Sequence, residues 1–233
     1  MVPLTLAGGV VCILAYGQAG TGKANFMNSL ESALAKELFA HAAKAGSEIK
    51  SQVSGMRREG DGHDAFEISA RFLEITGKVA YDLAADNVGE ESRTPVNISE
   101  DKLGRVRPDL VNTRVTSSEE LVSVIEKCFS NHRTARNSSS SRSHAPLMIR
   151  VKNILIPNLE DGEFVLVGLA GPERYEDSKT HSKQLMDESR ENNNSLLALK
   201  ECVRARARAG AEDGPCAHTL SLKPFDVGAK AHI

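Results

Sequence analysis

The sequence predicts an α/β fold whose sheet is covered by helices on both faces, and three observations carry that expectation. Strand signals alternate with helical ones along most of the chain. An apolar run, Val10 to Tyr16, empties into a glycine-rich turn, and a low-glycine stretch rich in Ala, Leu, Glu and Lys follows at once. The turn reads Gly17-Gln-Ala-Gly-Thr-Gly-Lys23 and is followed by Ala24. Strand, glycine turn and helix in this order match the phosphate-binding pattern GxxxxGK[ST], in which backbone N–H groups cradle a β-phosphate and the lysine neutralises the β- and γ-phosphates. Gly17, Gln18, Ala19, Gly20, Thr21, Gly22, Lys23 and Ala24 are therefore the candidate nucleotide-binding residues. At this spacing two glycines and a lysine arise by chance in roughly one chain in ten to twenty of such length, so the flanking strand and helix carry the weight. Ala24 replaces the hydroxyl that normally holds Mg²⁺, which promises nucleotide-binding architecture and puts the chemistry in doubt.

The remaining elements follow in order. Residues 23–45 read as a helix with Leu30, Ala33, Leu34 and Leu38 as apolar positions. Ser47 to Asp64 is polar and glycine-rich and reads as an exposed loop. Phe66 to Ile75 alternates as a strand. Asp86 to Arg107 reads as a loop with one short hairpin. Ser117 to Phe129 is a helix, opened by a capping box between Ser117 and Glu120 and carrying an apolar face of Leu121, Val122, Val124, Ile125, Cys128 and Phe129. Leu147 to Ile156 and Phe164 to Val167 are strands, the second apolar enough to be central. Internal repeats are absent, and Ser138 to Ser141 is the only low-complexity run.

Composition sets bounds. The 233 residues suffice for one sizeable domain with one core. A net charge of −2 gives no global basic field, so binding to an acidic polymer must come from local patches. Cys12, Cys128, Cys202 and Cys216 lie far apart with no CxxC pair, which reads as a reduced, intracellular chain. The histidines show no metal-ligand spacing. No long apolar run or signal-peptide pattern is present, so a soluble, unsecreted protein is expected.

Two later segments supply what a nucleotide switch needs beyond the phosphates: Asn137-Ser-Ser-Ser-Ser-Arg-Ser-His144 and Leu166-Val-Gly-Leu-Ala-Gly-Pro-Glu-Arg174. With AYGQAGTGKANFM they resemble the kinesin motor domain, whose corresponding segments read NxxSSRSH and LVDLAGSER. Asn193-Asn-Ser-Leu-Leu-Ala-Leu199 is similar to the family's INKSLLAL, and FLEITGKVAYDL at 72–83 to its FxEIYNxxVYDLL. The resemblance spans residues 2–203 and implies an α/β, P-loop NTPase-type mixed central sheet flanked by helices on both faces, incomplete at both ends. It implies a partial motor-like domain over 1–209 and a divergent tail over 210–233. VPL at the start and LLALKECVR at 196–204 resemble the internal-motor branch.

The resemblance also assigns roles. Ser141 would offer its hydroxyl to the γ-phosphate and Mg²⁺, and Asn137 would help place the attacking water. Arg142 would pair with Glu188 as a latch between the two switch segments, because a guanidinium fork matches a carboxylate bidentately. Gly171 would sense the γ-phosphate through its N–H. Gly168 occupies the position of the family's DLAG aspartate, which bonds the water shell of the magnesium. Ala24 and Gly168 together delete the two protein groups that most directly organise the metal, and each such loss typically costs about 100- to 1000-fold in rate. Base recognition is eroded too: the family's Arg-x-Arg-Pro segment has no counterpart, and the position that often stacks on the base is Asn25.

The implied cofactors are ATP or ADP, with Mg²⁺ doubtful. The implied partner is the microtubule surface, met by Lys200, Arg204, Arg206 and Arg208, with no nucleic-acid or membrane partner. The leading expectation is a motor-derived binding module with weak or lost ATPase activity. The alternatives are an active microtubule motor ATPase and a truncated product. No heptad run appears, so the sequence is silent on dimerisation.

Overall fold

A computed structural model describes residues 1–18, 21–52, 65–85, 95–100, 106–134, 143–156, 158–171 and 183–209. Its elements, in chain order, are α1 (Val2–Leu6), β1 (Val10–Ala15), α2 (Lys23–Gln52), β2 (Phe66–Thr76), β3 (Val79–Asp82) and β4 (Ile98–Glu100). They continue as β5 (Val106–Pro108), β6 (Thr113–Val115), α3 (Ser118–Thr134), β7 (Ala145–Asn153), β8 (Gly162–Gly168) and α4 (Lys183–Ala209). The main sheet is six-stranded in the order β1-β8-β7-β2-β3, with β6 pairing β2, while β4 and β5 form a separate hairpin. Among the described residues only β1 and β8 run parallel; β8–β7, β7–β2, β2–β3 and β2–β6 are antiparallel. The sheet is mixed, as expected.

The pleat sends alternate residues to two faces, and both faces are covered. Phe66, Ile68, Ala70 and Phe72 of β2, Leu147, Ile149 and Val151 of β7, and Phe164 and Leu166 of β8 form one core with α2 and α3. Their alternates, Leu73, Ile75, Met148, Val165 and Val167, form the second, against which Leu196 and Leu199 of α4 pack together with Val96, Ile98 and Leu110. A strand buried on both faces must be apolar throughout. That explains why Phe164 to Val167 reads as a continuous run, and β8 is indeed flanked on both sides.

Several boundaries differ from the sequence expectation. The helix continues through Ser47 to Gln52 instead of giving way to a loop there, because the apolar stripe of Leu38 and Ala42 runs on through Ala45 and Ile49, which pack against the core. Ser47 Oγ donates to Ala43 O at 2.9 Å, so the helical path absorbs its hydroxyl. Residues 53–64 lie outside the described residues. The strand expected to reach Ile156 stops at Asn153, whose Oδ1 accepts the N–H groups of Leu155 (2.9 Å) and Ile156 (3.0 Å) and turns the chain. The strand expected from Leu147 begins two residues earlier; Pro146, which has no N–H to donate, interrupts the pairing with β2, which is made at Ile75–His144 and again from Phe72–Leu147.

Helix α3 carries the expected cap. Glu120 N–H donates to Ser117 Oγ at 3.1 Å, and the Glu120 carboxylate accepts from Thr116 N–H (2.7 Å) and Thr116 Oγ (2.8 Å). These bonds hold the Glu120 carboxyl below its ordinary pKa. The helix then runs to Thr134, one turn past the expected end, and delivers His132 into the interior.

Candidate phosphate-binding site

Because β1 and β8 are parallel, their carboxyl ends lie at the same end of the sheet, where ligands of open α/β sheets bind. Leu169 N–H continues the ladder to Ala15 O at 3.1 Å, so the chain leaving β8 stays beside the chain leaving β1. The antiparallel neighbour β7 enters the sheet at this same end, with Ala145 opposite Gly168. The glycine loop, Gly168, Gly171 and the chain following the serine run are thus brought together by topology.

Within the loop, Gln18 O gathers the Thr21 N–H (3.3 Å), the Thr21 hydroxyl (2.8 Å) and the Lys23 ammonium (2.9 Å). Lys23 Nζ also donates to Gly17 O. Gly22 takes φ +85°, a left-handed conformation that glycine adopts without a Cβ penalty, and its carbonyl accepts Phe26 N–H at 3.0 Å. The 30-residue helix α2 then starts at Lys23 with no acidic residue in its first turn. The N-terminal end of a helix, with its outward N–H groups and positive dipole end, favours an anion, and the ammonium of Lys23 lies on the same loop. This donor set fits phosphate. Ala19 and Gly20 lie outside the described residues.

The metal side is different. Ala24 offers only a methyl group, and a Cβ built on Gly168 meets nothing closer than Ala145 O at 4.0 Å, so the missing carboxylate is a matter of residue identity and not of space. Among the described residues no group of three or more His, Cys, Asp and Glu side chains could hold a metal ion. The described side chains therefore do not fit a protein-organised Mg²⁺. Ser141, expected to contribute to it, lies outside the described residues, as do Asn137 and Arg142. Gly171 is buried just after β8. Glu188 falls within α4, and its side chain is not among those described.

Two histidine sites that sequence reasoning left without a role anchor the chain where it enters β7. Ser143 Oγ lies 2.8 Å from His132 Nε2, which is itself 3.5 Å from the fully buried Glu74 carboxylate. On the opposite face His144 Nδ1 accepts Ala170 N–H at 3.1 Å, which leaves Nε2 as the donor to Ser195 Oγ at 2.9 Å. Ser195 completes the chain by donating to Asn192 O at 2.7 Å. Burial pushes the His144 imidazole down to about 4 from its ordinary 6.5, so it is neutral at physiological pH. His144 sat in the SSRSH motif, but its partners are 26 and 51 residues away and no local pattern announces them.

The outer face of α4 carries Arg190, Leu197, Lys200 and Arg204, all exposed, on a helix whose Leu196 and Leu199 pack against the sheet. The side chains of Arg206 and Arg208 are not among those described, and residues 210–233 lie outside the described residues. No helix among the described residues is long and apolar enough to cross a membrane.

A glycine loop between strand and helix, beside a second glycine-bearing segment at the end of a parallel strand, defines an α/β class whose glycine loop sits at the carboxyl end of the sheet. The kinesin motor domain model matches residues 1–217, and the chain belongs to that family. It is 32% identical over 210 residues to diatom spindle kinesin-1 of Cylindrotheca fusiformis, covering 87% of this chain and 29% of that one. It is 30% identical over 214 residues to kinesin-like protein KIN-13B of Arabidopsis thaliana, covering 88% of this chain and 28% of the relative. The chain thus spans under a third of the length of these relatives. A KIF14 dimer bound to AMP-PNP in complex with a microtubule shares the fold, with a TM-score of 0.70 at 22% identity, covering 91% of this chain and 60% of that one.

Proposed function

We propose that this chain is a motor-derived nucleotide-holding module that contacts microtubules through α4 and hydrolyses ATP weakly or not at all. The observation that supports the reading is a donor set suited to phosphate at Lys23, Gly22 and the start of α2, beside two positions, Ala24 and Gly168, that carry no side-chain oxygen. Lys23, Gly22 and the start of α2 supply the donors a phosphate needs. Ala24 and Gly168 supply no oxygen to the magnesium or its water shell. Phosphoryl transfer depends on positioning and charge stabilisation, and each lost contact of this kind costs about 2.7–4 kcal/mol, so two push turnover towards background. In the bound state Lys23 would exchange the carbonyls of Gly17 and Gln18 for phosphate oxygens, and Gly171 N–H would meet the γ-phosphate. Lys200 and Arg204, with Arg190, would meet the acidic microtubule surface in a salt-sensitive contact.

The test restores the metal side. Ala24→Thr with Gly168→Asp should raise Mg²⁺-dependent hydrolysis by more than either change alone, and a Cβ at position 168 meets nothing closer than Ala145 O at 4.0 Å. A double variant no faster than the parent would place the lesion elsewhere. Vigorous, microtubule-stimulated hydrolysis by the unaltered chain would overturn the reading in favour of an active motor ATPase.

A further inference from the structure

His144 is fixed at its backbone and extended at its side chain to two elements outside the sheet. Its N–H donates to Ile75 O at 2.9 Å and its carbonyl accepts Ile75 N–H at 2.8 Å, which locks the residue to β2. The imidazole, 1% exposed, then reaches the backbone of Ala170 with one nitrogen and Ser195 of α4 with the other. Apolar packing of Leu196 and Leu199 tolerates sliding; a hydrogen bond is directional and does not. A fixed, directional link between the chain after β8 and α4 therefore runs through this ring.

We propose, resting on the reading that nucleotide phosphate occupies the Gly17–Ala24 loop, that His144 is a positioning residue coupling the phosphate end of the sheet to α4. A backbone shift at Ala170 and Gly171 is passed through the ring to Ser195, and so to the face bearing Lys200 and Arg204. Ala170 immediately precedes Gly171, so the amide held by the imidazole adjoins the one that would meet phosphate. Ser195 lies five residues before Lys200, less than two helical turns away. Neutrality of the buried ring keeps Nδ1 an acceptor and the link intact at physiological pH.

Three variants of the full chain test this. Ser195→Ala removes the α4 end of the link; His144→Asn keeps an acceptor near Ala170 but falls short of Ser195; Asn194→Ala, at an exposed position on the same helix, is the control. Amide hydrogen exchange reads transmission directly: Ser195→Ala should speed exchange of the Ala170 amide by about tenfold, and Asn194→Ala should leave it unchanged. The second readout is the ratio of microtubule affinities with ADP and with a non-hydrolysable ATP analogue. It should fall towards one in Ser195→Ala and His144→Asn, while nucleotide affinity without microtubules stays within about twofold of the parent. An unchanged Ala170 amide in Ser195→Ala, or an unchanged ratio, would overturn the coupling. Should the parent show no nucleotide dependence, the nucleotide reading fails by itself, and Ala170 exchange alone decides the link.

Discussion

Replacing Glu31 by Gln should abolish a pH dependence of stability that the parent chain carries at this position. Glu31 lies on α2, 2% exposed, and its Oε2 has no hydrogen-bond partner among the described residues. Burial raises its carboxyl from an ordinary 4.5 to about 8. Between those values the folded chain holds a proton that the unfolded chain has released, so stability falls as pH rises, by about 1.4 kcal/mol per unit. The full penalty, reached near pH 8, is about 5 kcal/mol, while below pH 4.5 both states are protonated and it vanishes. Glutamine keeps the shape and cannot ionise, and the cost of its own buried amide does not vary with pH. Urea unfolding of parent and variant at pH 5, 6, 7 and 8 isolates the effect, because every other titration cancels in the difference. The advantage of the variant should grow steadily across the series. A difference constant within about 0.5 kcal/mol from pH 5 to pH 8 would refute the reasoning.

Other consequences are independent of Glu31. His144 acts in the opposite sense: its folded value of about 4 lies below the ordinary 6.5, so stability is full above pH 6.5 and falls by about 3 kcal/mol as pH drops to 4. A flat His144→Asn-minus-parent difference over that range would contradict it. Cys128 is buried, with its thiol pushed up to about 11, whereas Cys12 is exposed. Iodoacetamide at pH 7.5 should therefore alkylate Cys12 at least about 100-fold faster, as read by mass spectrometry of the labelled peptides. Phe72→Ala should cost about 3–5 kcal/mol in urea unfolding. The ring is fully buried and packs edge-on against Phe129 at a centroid distance of 5.1 Å.

The parts of the fold that were legible in the sequence are those whose signal is local. The run from Val10 to Tyr16, the glycine turn and the helix after it announce β1, the loop and α2; Ser117 and Glu120 announce α3. The failures mark where local pattern competes with packing. Ser47 to Gln52 is polar enough to read as loop, yet Ile49 finds the core and holds the helix. The strand β6 is three residues long with only Val115 buried, too short for alternation to register. At the site, the glycine turn ending in Lys23 and the lack of a side-chain oxygen at Ala24 and Gly168 were legible because each is a matter of residue identity at a fixed spacing. The links from His144 to Ala170 and Ser195, and from His132 to Ser143, were not, because they depend on which strands become neighbours. That adjacency is set by β7 entering beside the end of β8.

Equilibrium binding of a fluorescent ATP analogue to the folded chain, with and without Mg²⁺, tests the central claim most directly. Binding in both conditions with similar affinity is the predicted result, since in the proposed reading Lys23 and the α2 N-terminus would hold phosphate while Ala24 and Gly168 would leave the metal without protein support. No binding at millimolar nucleotide, or binding that requires Mg²⁺, would contradict it.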